Sequence, residues 1–179
     1  MKDRADDRSD EVSAASVQWE ASTLRQGSPN SSSPASCGWP MTTSSLSPVR
    51  AIADLYVKNL ATAELVRASI ATDGTQGNGE SGFGVISPDG GFVVFMSDAT
   101  NLVAGDTNAK TDAFRHDLTT RTTVRVSLAN SGAQSNGIVF ATSVGLDGRL
   151  IAFVSSATNL VGNDTNASVD VFVRDVGQN

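Results

Sequence analysis

Asp106, Asn108 and Asp112 place three oxygen-bearing side chains at i, i+2 and i+6 of a turn-forming stretch, and Asp164, Asn166 and Asp170 repeat the pattern 58 positions on. Oxygen donors at that spacing suit a hard cation, because Ca2+ gathers about six to eight oxygens at ~2.3 to 2.6 Å, backbone carbonyls among them. The stretch begins like an EF-hand loop but has neither its central glycine nor its bidentate glutamate. Two readings therefore stand. In one, each loop holds a Ca2+ ion and is stiffened by it. In the other, Asp106 and Asn108 close Asx-turns on their own backbone while Asp112 opens a strand.

A second polar pattern also recurs: Gly74, Gln76, Asn78 and Gly79 match Gly132, Gln134, Asn136 and Gly137. Neutral amides on a loop suit the hydrogen-bonding groups of a protein, peptide or glycan, so Gln76, Asn78, Gln134 and Asn136 are the ligand-binding candidates. They equally suit unpaired loop backbone. Catalysis finds little support. The single histidine, His116, aligns with Lys58 and Arg174, which marks an exposed cationic strand position and not a general base. No Gly-x-Ser-x-Gly elbow occurs. The carboxylates Asp112 and Asp117 recur with the repeat, as structural positions do. Arg67 and Arg125 are placed to pair with Asn59 or Asp117 across a hairpin, a contact of at most about 1 kcal/mol.

The elements that must hold these residues follow from the repeat. Between 92–117 and 150–175, 14 of 26 aligned residues are identical, and self-similarity at a fixed period of tens of residues is the mark of a repeat architecture. Asp54 to Leu60, Asp112 to Leu118 and Asp170 to Val176 alternate aromatic and polar residues, which predicts strands. Leu65 to Ser69 and Thr123 to Ser127 follow after short turns and complete hairpins. Asp89-Gly90 and Asp147-Gly148 separate apolar runs, a strong hairpin signal. Each unit thus becomes four antiparallel strands: A (83–87), B (92–97), C (112–118) and D (122–128). Apolar residues on both faces of Phe92 to Met96 imply a sheet covered on both sides. In that order the B to C and D to A loops share one end of the sheet, so the Asp-Thr-Asn loops and the Gly-x-Gln-x-Asn-Gly loops form one face.

Ser87-Pro88-Asp89-Gly90 followed by Phe92-Val-Val-Phe, together with Asp112-Ala-Phe-Arg-His-Asp-Leu118, resembles the TolB-like, WD-type β-propeller repeat with its Ser-Pro-Asp-Gly turn. The likeness covers about 52–176 and departs at Leu146, where the turn would have Pro, and at Pro48, which stands in the place of Asp106. It implies an all-β fold of tandem four-stranded antiparallel blades, incomplete at about two to two and a half: a partial blade over 52–70, a full blade over 82–128 and a partial blade over 139–176. It also implies a periplasmic or extracellular setting. About nine strands cannot close a ring, so the expectation is a fragment of a longer product, an open wedge, or self-association that completes the propeller.

Composition narrows the rest. Residues 1–50 are polar and then Ser, Thr and Pro-rich, which reads as a disordered leader. The charged start lacks the apolar core of a secretory signal. With 13 Lys+Arg against 19 Asp+Glu the chain has a net charge of −6, which argues against nucleic acid as a partner. No run approaches the roughly 18 apolar residues of a membrane span, and the lone Cys37 can form no internal disulfide. The expected function is a non-enzymatic protein- or ligand-binding or scaffolding module, calcium-stabilised on the first reading of the loops. The alternatives are an accessory propeller of a larger hydrolase or peptidase, or a truncated gene piece without independent function.

Overall fold

The computed structural model describes residues 19–25, as backbone, and 52–177. These residues form ten strands and no helix, in three antiparallel sheets. The first sheet has the order β1 (Trp19–Arg25), β2 (Ala53–Asn59), β3 (Leu65–Arg67). The second runs β4 (Ser81–Ile86), β5 (Phe92–Ser97), β6 (Asp112–Asp117), β7 (Thr123–Arg125). The third comprises β8 (Val139–Val144), β9 (Leu150–Ser155) and β10 (Asp170–Asp175). In the lettering of the repeat they are B-C-D, A-B-C-D and A-B-C, that is, propeller blades in tandem with the middle one complete.

One strand falls within the leader expected over 1–50. Trp19–Arg25 is a strand, paired from Trp19↔Asn59 to Arg25↔Ala53. The reason is that β2 would otherwise present a row of unpaired N–H and C=O groups. The register sets Trp19 opposite Asn59 just as Phe92 stands opposite Asp117, so β1 takes the place of strand B. Its short sequence, WEASTLR, has no apolar alternation to announce it. The Ser, Thr and Pro-rich stretch, Cys37 and Pro48 lie outside the described residues.

Packing follows from the two-faced strands. On β5, Val93 and Phe95 point to one side, where they meet Leu55 and Val57 of β2, Leu102 and Phe114. Val94 and Met96 point to the other and meet Ile151 and Phe153 of β9, Val139 and Leu160. Each core is therefore an interface between consecutive blades, and each buried side chain of this size contributes about 1.5 to 3 kcal/mol. The ring pairs Phe95–Phe114 and Phe153–Phe172, at 5.8 and 5.6 Å, repeat one stacking contact in adjacent sheets. The turn at Ser87 is closed by side chains: Ser87 Oγ accepts from Phe92 N at 2.9 Å and Asp89 Oδ1 from Gly91 N at 3.0 Å. Gly90 supplies the positive φ of +73°. Leu146 in place of Pro leaves the equivalent turn intact, with Gly148 N donating to Gly145 O. On the outer side of the last blade, Val171 and Val173 remain about 70% exposed.

Candidate binding site

The Asp-Thr-Asn loop is built around an arginine. The pairing Phe114↔Arg125 between β6 and β7 directs the Arg125 side chain back along the sheet toward the start of β6. There Arg125 Nη2 lies 2.8 Å from Asp106 Oδ2, and Nε lies 3.6 Å from Asp112 Oδ2. All three side chains are enclosed, at 4%, 2% and 0% exposure for Arg125, Asp106 and Asp112. The contact with Asp106 is an ion pair whose angles miss those of a hydrogen bond. Asp112 also accepts from Ser127 Oγ and, at 2.9 Å, from Asn108 Nδ2. Burial pushes the Asp112 carboxyl above the usual carboxylate range, opposed by the hydrogen bonds from Ser127 and Asn108 and by the Arg125 charge. The expected pairing of Arg125 with Asp117 does not form, because Asp117 lies at the other end of β6, where it accepts from Thr119 N and Thr120 N. Arg67 likewise turns to Asp54 at 3.7 Å and to Tyr56.

This geometry bears on the proposed metal ligands. Asp106 and Asp112 face a guanidinium, and Asn108 turns its NH2 toward Asp112 while its oxygen accepts from Lys110 N at 3.1 Å. Asn166 does the same in the next loop, with Nδ2 3.5 Å from Asp170 and Oδ1 accepting from Ser168 N. Among the described residues no three His, Cys, Asp or Glu side chains converge as metal ligands. In the first loop the Arg125 guanidinium lies between the two carboxylates, and the Asx-turn half of the second reading is present at Asn108 and Asn166.

The four amides, of which Gln76, Asn78 and Asn136 are exposed, hydrogen-bond within the protein itself. Gln134 Oε1 accepts from the backbone N of Thr107 and Asn108, and Nε2 donates to Gly105 O and Thr107 Oγ1. Asn78 exchanges bonds with Thr100, and Asn136 makes the same pair with Thr158. Gln76 donates to Asp54 Oδ2 at 2.7 Å. The loops do share one face, as the parity of the meander requires, and these amides are its internal fastenings. Gly79 and Gly137 complete the motif because a Cβ there would strike the backbone of Asp98–Ala99 and of Ser156–Ala157.

His116, expected to be exposed, is fully buried. Its neighbours explain the difference: Thr123 bonds His116 Nδ1 at 2.8 Å and donates to Ile70 O, so the loop of the preceding blade closes over the ring. Lys58 and Arg174, at the matching positions, keep more contact with solvent. Burial lowers the His116 pKa.

A feature that the repeat alignment conceals lies on the edge strands β4 and β8. β4 and β8 each break register against their neighbour, between Gly82 and Val85 and between Val139 and Ala141. Each irregularity presents a phenylalanine outward: Phe83 is 77% and Phe140 47% exposed. Phe83 holds φ at +54°, a left-handed conformation that costs a bulky residue of order 1 kcal/mol or more. Together with Leu55, Met96, Ile138 and Glu80 they line a cleft of about 770 Å³ that opens at the loop face. Phe83 aligns with Ala141 and Phe140 with Gly82, so no recurrence marks them; the glycines flanking Phe83 were the available signal of a bulge.

No family model matches the chain. No curated protein matches it either. Among solved structures it is similar to the tricorn protease, at 11% identity and a TM-score of 0.42, over 59% of this chain and 9% of that one. It is also similar to a candidate TolB from Agrobacterium tumefaciens, at 18% identity and a TM-score of 0.45, over 70% of this chain and 38% of that one. The chain thus spans well under two thirds of either neighbour.

Proposed function

We propose that this chain is a non-catalytic binding module whose ligand is an extended protein segment with an aromatic or aliphatic side chain, received in the cleft between β4 and β8. The observation that carries the reading is Phe83: a bulky apolar residue held in a strained conformation with most of its surface in water. Such strain persists only where the surrounding structure over-determines it, and it clusters at sites of recognition. Phe140 brings a second aromatic to the same cleft, and aromatic anchors in apolar pockets carry a large share of binding energy at protein interfaces. The burial of His116, which takes no part in lining the Phe83 cleft, supports the non-catalytic half of the reading.

The test is selection of a random peptide library against the full chain, followed by titration of the enriched peptides. Enriched peptides should contain an aromatic or large aliphatic residue and should bind Phe83→Ser about thirtyfold more weakly, the effect of losing one interface anchor of roughly 2 kcal/mol. Peptides that bind the variant as well as the parent would refute the site.

A further inference from the structure

His116 is the single histidine of the chain, and its neighbours fix the form it takes. On β6 it shares a face with Phe114, turned toward the first sheet, and Thr123 of β7 stands opposite it. Thr123 Oγ1 has one hydrogen and donates it to Ile70 O at 2.6 Å. In its 2.8 Å contact with His116 Nδ1 the hydroxyl is therefore the acceptor and Nδ1 the donor. The neutral ring so carries its proton on Nδ1. Nε2 is left a bare acceptor, withdrawn from solvent and with no hydrogen-bond partner among the described residues. The 70–72 loop that covers this place is held a second time, by Thr123 N donating to Thr72 Oγ1 at 3.0 Å. At the next junction, 58 positions on, Arg174 Nη1 donates directly to Leu128 O, the counterpart of Ile70 O, at 3.2 Å. Arginine keeps its charge at every accessible pH, so of these two junctions the one at His116 is the one that acid can change.

We propose that His116 is an acid-released latch between the first and second sheets: a proton reaches Nε2 only when the 70–72 loop lifts from β7, so acid shifts the loop toward its open form. An imidazolium in the closed form would set a second N–H, with its charge, where no acceptor stands. In the open form water supplies that acceptor. Burial holds the His116 pKa below its ordinary value, with Asp117 raising it and Arg121 lowering it. Of the elements packed about the ring, β5 sets Val93 opposite it and β7 sets Thr123, neither of which titrates. Arg115, next along β6, turns to the other face, over Phe92. Asp73, the titratable residue of the loop, is exposed and accepts from Thr75 N. The open form takes its proton near the ordinary value of about 6.5, so below that pH its population grows about tenfold per pH unit until the lowered value of the closed form is reached.

The test uses the full chain labelled with 15N. Its one set of histidine ring signals should show Nδ1 protonated and Nε2 bare at pH 7.5. The protection of the Thr123 amide against hydrogen exchange, corrected for the intrinsic effect of pH, should fall about tenfold from pH 7.5 to 5.5. The amide of Val126, which donates to Ala113 O within the same sheet, should keep its protection. In His116→Gln the protection of Thr123 should no longer depend on pH. The ring signals and the exchange of the unaltered chain decide the matter even if the variant folds poorly. A ring protonated on Nε2 at pH 7.5, or Thr123 protection that acid leaves unchanged, overturns the proposal. An equal fall at Val126 would mean loss of the whole sheet and overturns it too, as does a fall at Thr123 that persists in His116→Gln.

Discussion

Removing the Arg125 side chain should be the most damaging single truncation of a charged residue in the described structure. Arg125→Ala leaves Asp106 and Asp112, at 2% and 0% exposure, without the cation between them. Asp112 keeps Ser127 and Asn108, but Asp106 Oδ1 has no hydrogen-bond partner to compensate. Deleting one member of a buried ion pair costs about 3 to 5 kcal/mol because the remaining charge is stranded. For a domain of this size, 3 kcal/mol is a fall in Tm of roughly 6 to 12 °C. Arg67→Ala is the internal control: Arg67 is 25% exposed, its only carboxylate lies 3.7 Å away, and screening reduces its loss to about 1 kcal/mol or less. The assay is urea unfolding of both variants at pH 7 and at pH 5. Loss of the Arg125 charge raises the Asp112 pKa further, so the folded state holds a proton that the unfolded chain releases at its ordinary value. The penalty is therefore full at pH 7 and relieved as pH falls toward the raised folded value. Equal losses from Arg125→Ala and Arg67→Ala, or a loss at Arg125 that pH 5 does not reduce, would refute the account.

Further expectations concern pH, metal and surface. The folded pKa of His116 lies below its unfolded value of about 6.5, so the stability it contributes is complete above that pH and is lost as pH falls toward the folded value. Thermal melts from pH 7.5 to 5 should show this slope, and His116→Gln should flatten it. Millimolar Ca2+ should leave Tm where it stands in EDTA, since a guanidinium already lies between Asp106 and Asp112; a clear Ca2+-dependent rise would restore the metal reading of the loops. Replacing Val171 and Val173 together by Lys should change stability by no more than about 0.5 kcal/mol while reducing any self-association seen by native mass spectrometry, because both side chains are about 70% exposed.

The blades were legible because the repeat and the turns state them independently: Asp89-Gly90 and Asp147-Gly148 fix hairpins, and the two-faced apolar run of β5 demands a neighbour on each side. What was not legible depends on contacts between units. Lys58, His116 and Arg174 align perfectly, yet only the middle one is sealed, since Ile70 and Thr123 come from elements that a one-dimensional alignment does not bring together. The acidic loops were only partly legible for the same reason. Asp106, Asn108 and Asp112 resemble a cation site until β7 delivers Arg125 from 13 residues beyond Asp112, a cation that the spacing of the carboxylates cannot reveal. β1 was hidden more simply, because its strand character rests on pairing with β2 and not on its own sequence pattern.

Phe83 sets stability against recognition, and the two can be separated by one substitution. At φ +54° glycine has no Cβ to strain, so Phe83→Gly should keep the bulge between Gly82 and Val85. Relief of strain of order 1 kcal/mol opposes the entropy of a more flexible unfolded chain, about 0.5 to 1 kcal/mol, and little packing is lost from a ring that is 77% exposed. The two effects nearly cancel, and the melting temperature should stay within about 3 °C of the parent. An apolar residue of this size in an ordinary core would cost about 3 to 5 kcal/mol on truncation. If Phe83→Gly melts as the parent does but no longer binds the peptides selected on it, the ring is there for a partner. If the variant loses several kcal/mol, Phe83 is holding the blade together, and the cleft between β4 and β8 is a packing surface rather than a binding site.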